Sequence, residues 1–100
     1  MEHAQRRLIT VITETGLERE LTAALESLGV GYTFSDARGR GSHGRRGSQW
    51  SHTGNLRLEV LCNAASAEQL VQLLRDRYFD NYAMVLWVQD VEVLRAEKFR

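Results

Sequence analysis

The chain has one cysteine, Cys62, in 100 residues. That forbids an internal disulfide, and one thiol cannot build a zinc site alone. No apolar run approaches the ~18–20 residues that cross a bilayer. The opening stretch Met1-Glu2-His3-Ala4-Gln5-Arg6-Arg7 carries no apolar segment of the kind found in secretory signals, so the expected location is cytoplasmic. Acid is missing from a whole stretch. Between Asp36 and Glu59 there is none, while Arg38, Arg40, Arg45, Arg46 and Arg57 all stand there. These are five of the 13 basic residues, which leaves eight against 13 acids elsewhere in a chain of zero net charge. A basic segment on an acidic body points to a local anion site rather than to a surface coated for nucleic acid.

What remains is ordinary for a globular protein, with 43% hydrophobic and 26% charged residues. The length suits a single domain over residues 1–100. A monomer of this size buries only about 60–65% of the surface its unfolded chain exposes, which leaves room for an oligomer to supply more.

Arg7-Leu8-Ile9-Thr10-Val11-Ile12-Thr13 is rich in β-branched residues and predicts a strand. Thr15-Gly16-Leu17-Glu18 has the form of a capping box, and Leu17, Leu21, Ala24, Leu25 and Leu28 follow at helical spacing up to Gly29, a C-cap candidate. Val30 to Ser35 predicts a second strand, and Asn55 to Cys62 alternates as a third. Ser66-Ala67-Glu68-Gln69 is a second capping box, heading an apolar stripe of Ala67, Leu70, Val71, Leu74 and Tyr78. After a turn at Asp80-Asn81, Ala83 to Val88 predicts a strand that runs on through a bulge to Val91-Glu92-Val93-Leu94. The order is β-α-β, long loop, β-α-β, and the two capping boxes start 51 residues apart, as in one unit used twice. Two split βαβ units give the α+β, ferredoxin-like βαββαβ arrangement: a four-stranded antiparallel sheet with both helices on one face.

That arrangement leaves the other sheet face bare, yet the strands are apolar on both sides. Ile9 and Val11 oppose Leu8 and Ile12, and Met84, Leu86 and Val88 oppose Val85 and Trp87. Subunits covering one another's open faces would hide the second set. The other solution is a C-terminal segment folded back over the sheet.

Residues from Ala37 to about Gly54 lose all apolar periodicity and hold five of the eight glycines. So long an insertion is either functional or disordered. In Arg38-Gly39-Arg40-Gly41-Ser42-His43-Gly44-Arg45-Arg46-Gly47-Ser48, glycine lets backbone N–H groups form an anion nest and arginine adds a planar fork that fits oxyanions in pairs. The plain alternative is a solvated loop kept soluble by its arginines. Gly39, Gly41 and Gly44 match the dinucleotide fingerprint in letters only, since no helical stripe follows. No Walker motif is present either. His3, His43, His52 and Cys62 fit no common metal-site spacing, and His43 beside the arginines suits phosphate better. Cys62 reads as a small buried hydrophobe. Trp50 stands in the loop, where a base or a protein partner could meet it, and Trp87 reads as core or interface. The strands at 7–13 and 55–62 carry no aromatics to stack bases, which argues against an RNA-recognition fold, although an arginine-rich loop can bind RNA or protein without one.

Several stretches resemble one family. Gly31-Tyr32-Thr33-Phe34 resembles the Gly-Tyr-Thr-Val strand of PII-like proteins associated with bicarbonate transporters. Gly39-Arg40-Gly41-Ser42 resembles their Gly-Lys-Gly-Ser at the base of the T-loop, with Arg46 on their second T-loop arginine. Leu56-Arg57-Leu58-Glu59-Val60 resembles their third strand, Tyr78-Phe79-Asp80-Asn81-Tyr82-Ala83 their Tyr-Phe-Asn-Asp-Tyr-Ala, and Val91-Glu92-Val93-Leu94 their Ala-Glu-Val-Leu. The chain thus resembles the PII signalling superfamily, in its branch linked to inorganic carbon and carboxysomes.

The resemblance implies a homotrimer with nucleotide sites in clefts between subunits and a T-loop at about 37–54. Gly31, Thr33 and Glu59 would lie near an adenine, Arg40 and Arg46 on phosphates, Tyr82 and Ala83 along the nucleotide, and Arg95 near a phosphate-binding arginine of larger PII proteins. The implied ligands are ADP or AMP with bicarbonate, the latter held by Gly39, Arg40, Gly41, Ser42 and Arg46. A bicarbonate transporter or a carboxysome protein is the implied partner through the T-loop, with no nucleic acid. His43 and Met84 depart from the transporter-associated pattern, and a C-terminal cysteine pair is missing, so redox control through such a tail is not expected. The loop offers no evident base to activate water, so the expected function is that of a sensor and not of an enzyme.

Overall fold

A computed structural model describes residues 3–39 and 54–99. Its elements in order are strand β1 (His3–Glu14), a 3-10 turn (Thr15–Leu17), helix α1 (Glu18–Leu28), strand β2 (Thr33–Ala37), strand β3 (Asn55–Cys62), helix α2 (Ala64–Tyr78), strand β4 (Val85–Leu94) and a second 3-10 turn (Ala96–Lys98). The sheet order is β2-β3-β1-β4, all antiparallel. This is the ferredoxin-like arrangement that the element order predicts.

Alternation decides which face each strand buries. Ile9 and Val11 of β1 and Leu56, Leu58, Val60 and Cys62 of β3 point under the helices and are buried. Leu21 and Leu25 from α1 and Leu70 and Leu74 from α2 close over them. Each large aliphatic side chain so buried contributes about 1.5–3 kcal/mol. Gly29 ends α1 in the left-handed region, at φ 74°, where a side chain would be strained.

Local details depart from the sequence reading. Neither capping box forms as expected. Thr15 lies in the 3-10 turn, and α1 begins only at Glu18, behind the buried Leu17. Seating Leu17 in the core requires a tight turn directly after the strand, so the helix starts later. In α2 the cap is Asn63, whose Oδ1 accepts the N–H of Ser66 at 2.8 Å. Asparagine caps at least as well as serine, and it follows immediately on buried Cys62, so the helix starts where the strand stops. Strand β2 begins at Thr33, not Val30, because Val30 is buried in the core and its N–H donates to Leu25 at 3.3 Å. No bulge interrupts β4, whose register runs unbroken from Ile12↔Val85 to His3↔Leu94.

The open face is divided. Over β2 and β3 it is polar, with Thr33, Ser35, Arg57 and Glu59. Over β1 and β4 it is apolar, and Val85 and Trp87 are 42% and 43% exposed. The C-terminal turn folds back over the far end of this face, against β1. Arg6, opposite Val91 on β1, clasps it: Nε–H donates to the carbonyl of Phe99 at 2.5 Å and an Nη2–H to that of Ala96 at 3.0 Å. The fold-back therefore covers one end of the sheet and leaves Val85 and Trp87 bare.

Two outcomes follow. Asn63→Ala should cost about 1 kcal/mol in urea unfolding, whereas Ser66→Ala, which keeps the backbone N–H, should be near neutral. Trp87→Glu should leave circular dichroism unchanged and convert an assembled protein to monomer in sedimentation; wild type and variant sedimenting alike would remove this face from assembly.

Candidate functional site

Antiparallel register brings three segments to one end of the sheet. Ala37 pairs with Asn55, Asn55 with Glu14, and Ile12 with Val85. The two ends of the long loop, the β1–α1 junction and the α2–β4 connection holding Tyr82 and Ala83 therefore share that end. The loop returns through Gly54 at φ 74°, left-handed, and its carbonyl accepts the N–H of Thr15 at 3.3 Å. Tyr82 is held by its N–H to the carbonyl of Tyr78 at 2.9 Å and by an edge-on ring contact at 5.7 Å. Tyr78 in turn donates its hydroxyl to Glu20 at 3.3 Å. Burial first, and then the Glu20 carboxylate, push the Tyr78 phenol above its ordinary range. Ala83 is exposed.

Across the middle of the open face runs a row of four residues: Thr33, Glu59, Thr10 and Trp87, each paired with the next. An Nη2–H of Arg57 donates to Glu59 Oε2 at 3.3 Å. Both side chains are about half exposed, so the pair contributes only about 0–1 kcal/mol and is easily exchanged for a ligand. Thr10 is fully buried, and among the described residues its Oγ1 has no partner, nor has Oδ1 of Asn55 at the loop base. A buried group left so costs about 1–3 kcal/mol.

Gly31 and Gly39 are exposed, and a Cβ built on either would meet nothing within 4 Å. Neither has a positive φ, so the left-handed half of an anion nest is not supplied at Gly39 itself. Arg40, Gly41, Ser42 and Arg46 lie outside the described residues, as do His43, Trp50 and His52.

Arg95 is not brought to this end. It follows Leu94, ten residues along β4 from Val85, and so lies roughly 30 Å away along the strand. Only a second copy of the chain can carry such an arginine to the loop base. Arg95 is also the one non-glycine with positive φ among the described residues, at φ 59°, ψ 53°. That conformation costs about 1–2 kcal/mol.

Sequence reasoning missed Thr10, Asn55 and Tyr32. A threonine or an asparagine in an alternating strand gives no signal until register supplies its neighbours. The Tyr32 hydroxyl donates to Glu26 at 2.8 Å, and its ring meets Phe34 edge-on at 5.5 Å, which ties the start of β2 to the end of α1. The hydrogen bond to the Glu26 carboxylate is the main cause that raises the Tyr32 phenol. Among the described residues no three His, Cys, Asp or Glu side chains stand together as metal ligands. His3 instead pairs with Glu92. Among the described residues, hollows run along α2, lined by Gln69, Leu73 and Asp76 or by Arg7, Val71 and Val88.

The family described as nitrogen regulatory protein P-II matches residues 6–98. A structure described as a PII-like signaling protein from Thermus thermophilus is 37% identical, with a TM-score of 0.83 over 100% of both chains. CPII, a nitrogen regulatory PII-like protein from Thiomonas intermedia described as bound to ADP, AMP and bicarbonate, is 23% identical, with a TM-score of 0.85 over 99% of this chain and 97% of its own. The apo form of CPII is similar at 17% identity and a TM-score of 0.76, over 92% and 95%.

Cys62 is fully buried, and burial pushes its thiol up, partly opposed by Arg7. Its thiolate is scarce at neutral pH. Ellman's reagent should therefore find no thiol in the folded protein over the time in which it titrates one in urea. Because the folded pKa is raised, the associated stability is fully present below the ordinary thiol range and is lost as pH rises from that range through the raised folded value.

Proposed function

Because the chain belongs to the nitrogen regulatory protein P-II family, we propose that it is a PII-like regulator that binds ADP or AMP between subunits and bicarbonate at the loop base. In this reading residues 1–100 form one PII-like domain, three copies assemble in the cytoplasm, and the loop at about 37–54 is the T-loop. The observation that carries it is the gathering, at one end of the sheet, of the loop base, Thr15 and Tyr82–Ala83, beside the polar row headed by Thr33 and Glu59. CPII, which shares the fold, is described as bound to ADP, AMP and bicarbonate, and this supports the choice of ligands.

Each residue then has a task. Gly31 and Thr33, on the edge strand, and Glu59 meet the adenine, with Glu59 released from Arg57. Tyr82 and Ala83 flank the nucleotide. Arg40 and Arg46 hold phosphate oxygens by paired, charge-assisted hydrogen bonds. Gly39, Arg40, Gly41, Ser42 and Arg46 receive bicarbonate. Arg95 enters from the neighbouring subunit, a reading that the length of β4 supports. The protein acts as a regulator, not an enzyme, and belongs with the branch of the family linked to inorganic carbon and carboxysomes. Ligand binding orders the T-loop and changes which transporter or carboxysome protein docks there. If both ligands favour the ordered loop, each raises the other's affinity by the same factor.

Calorimetry with ADP, in buffer stripped of carbon dioxide and again with bicarbonate, tests this. Tighter binding with bicarbonate is expected. Binding indifferent to bicarbonate would keep the nucleotide and remove the carbon role, and an intact trimer with no heat in either buffer would sink the ligand reading. Arg40→Ala should weaken ADP by about 1.5–3 kcal/mol without changing the sedimentation coefficient.

A further inference from the structure

The C-terminal turn holds an arginine in an unfavourable backbone shape and leaves its head free. Arg95 is left-handed and exposed, and among the described residues its side chain makes no hydrogen bond or ion pair. The turn that follows is three residues long, closed by Lys98 N–H to the carbonyl of Arg95 at 3.0 Å and Phe99 N–H to that of Ala96 at 3.0 Å. Two such bonds make a weak element, since short 3-10 turns have poor hydrogen-bond geometry. Something outside the turn must keep Arg95 where an unconstrained arginine would not stay.

That outside contact is Arg6. Its guanidinium spends its donors on backbone: Nε–H on Phe99 at 2.5 Å, an Nη2–H on Ala96 at 3.0 Å and an Nη1–H on Gln5 at 2.8 Å. Two of these carbonyls belong to the turn and its cap, and the third to β1 itself. The rigid fork thus bolts the turn to the sheet, and a point charge such as lysine cannot satisfy the same carbonyls in the same plane. Arg6 makes no ion pair among the described residues, so its charge is not committed to a carboxylate.

We propose that Arg6 is a positioning residue for Arg95: by clamping the turn at 96–99 it holds Arg95 left-handed and aims its guanidinium at the phosphate groups of a nucleotide bound to the adjoining subunit. This rests on the nucleotide-site reading above. Arg6 touches no ligand. Its effect passes wholly through Arg95, and that separates it from a residue that merely stabilises the sheet.

A double-variant cycle tests it, with ADP calorimetry on the full chain for wild type, Arg6→Lys, Arg95→Ala and the pair. Sedimentation and thermal unfolding are followed on each. Either single change should weaken ADP about tenfold, the scale of a lost charge-assisted contact, and the double variant should bind no worse than Arg95→Ala alone. Losses that multiply in the double variant would overturn the proposal, because Arg6 would then act independently of Arg95. Wild-type affinity in Arg6→Lys would overturn it as well. Full affinity in Arg95→Ala would remove Arg95 from the site and the inference with it, while ADP binding by the other variants kept the broader reading. No ADP binding by wild type would overturn both. Should the lysine variant fail to assemble, Arg6→Gln, planar but neutral, takes its place in the cycle, with the same results supporting or overturning the proposal.

Discussion

The pairing of β1 on both of its edges is the constraint from which the rest follows. Eight consecutive residues, Arg7 to Glu14, pair with β3, and ten, His3 to Ile12, pair with β4. A slip of one residue on either side would turn Ile9 and Val11 out of the core and Leu8 and Thr10 into it. With the register fixed, the long loop must begin and end beside Glu14. The α2–β4 connection must arrive at the same end, and the C-terminal turn must arrive at the other. The candidate site needs no long-range design beyond this.

The same register sorts the open face. Residues of β2 and β3 place polar groups there, and residues of β1 and β4 place apolar ones. A neighbouring copy that covered the apolar half would bring its own surface up against the row from Thr33 to Trp87. An apolar contact then provides assembly, and the polar half beside it becomes the wall of a cleft. Such a neighbour would give the row from Thr33 to Trp87 the facing wall that one sheet alone does not provide.

Much of this was legible in the sequence, for reasons of period. Alternation in β1 and β3 and the stripes of α1 and α2 gave the element order, and the loss of period after Ala37 located the loop. The sequence also posed the right question of the open face, offering assembly or a fold-back as its cover. The fold-back turned out to be partial. The chemistry of helix starts was less legible, because Ser66 and Asn63 both cap well and only the end of β3 decides between them. The bulge expected in β4 had no local cause, and the register shows none. Arg95 and Tyr82 were singled out together through family resemblance, yet lie at opposite ends of β4, a separation that no short motif reports. Arg6 looked like one charge among many, because a guanidinium that donates to backbone carbonyls leaves no mark in charge patterning. Most of the arginine-rich segment lies outside the described residues, so the phosphate and bicarbonate contacts proposed for it rest on the resemblance and on the loop base.

The pairing of Ala37 with Asn55, and the bond from Thr15 to Gly54, have a consequence for how such a protein changes over generations. The two ends of the segment between them are held a strand spacing apart, about 4.8 Å, by contacts that do not involve its interior. Closing a loop whose ends are already fixed costs little more when it lengthens, about 0.6 kcal/mol for each doubling. Its length and composition can therefore drift while the sheet beneath stays the same. The fold works as a mount on which the segment between Ala37 and Asn55 is exchangeable.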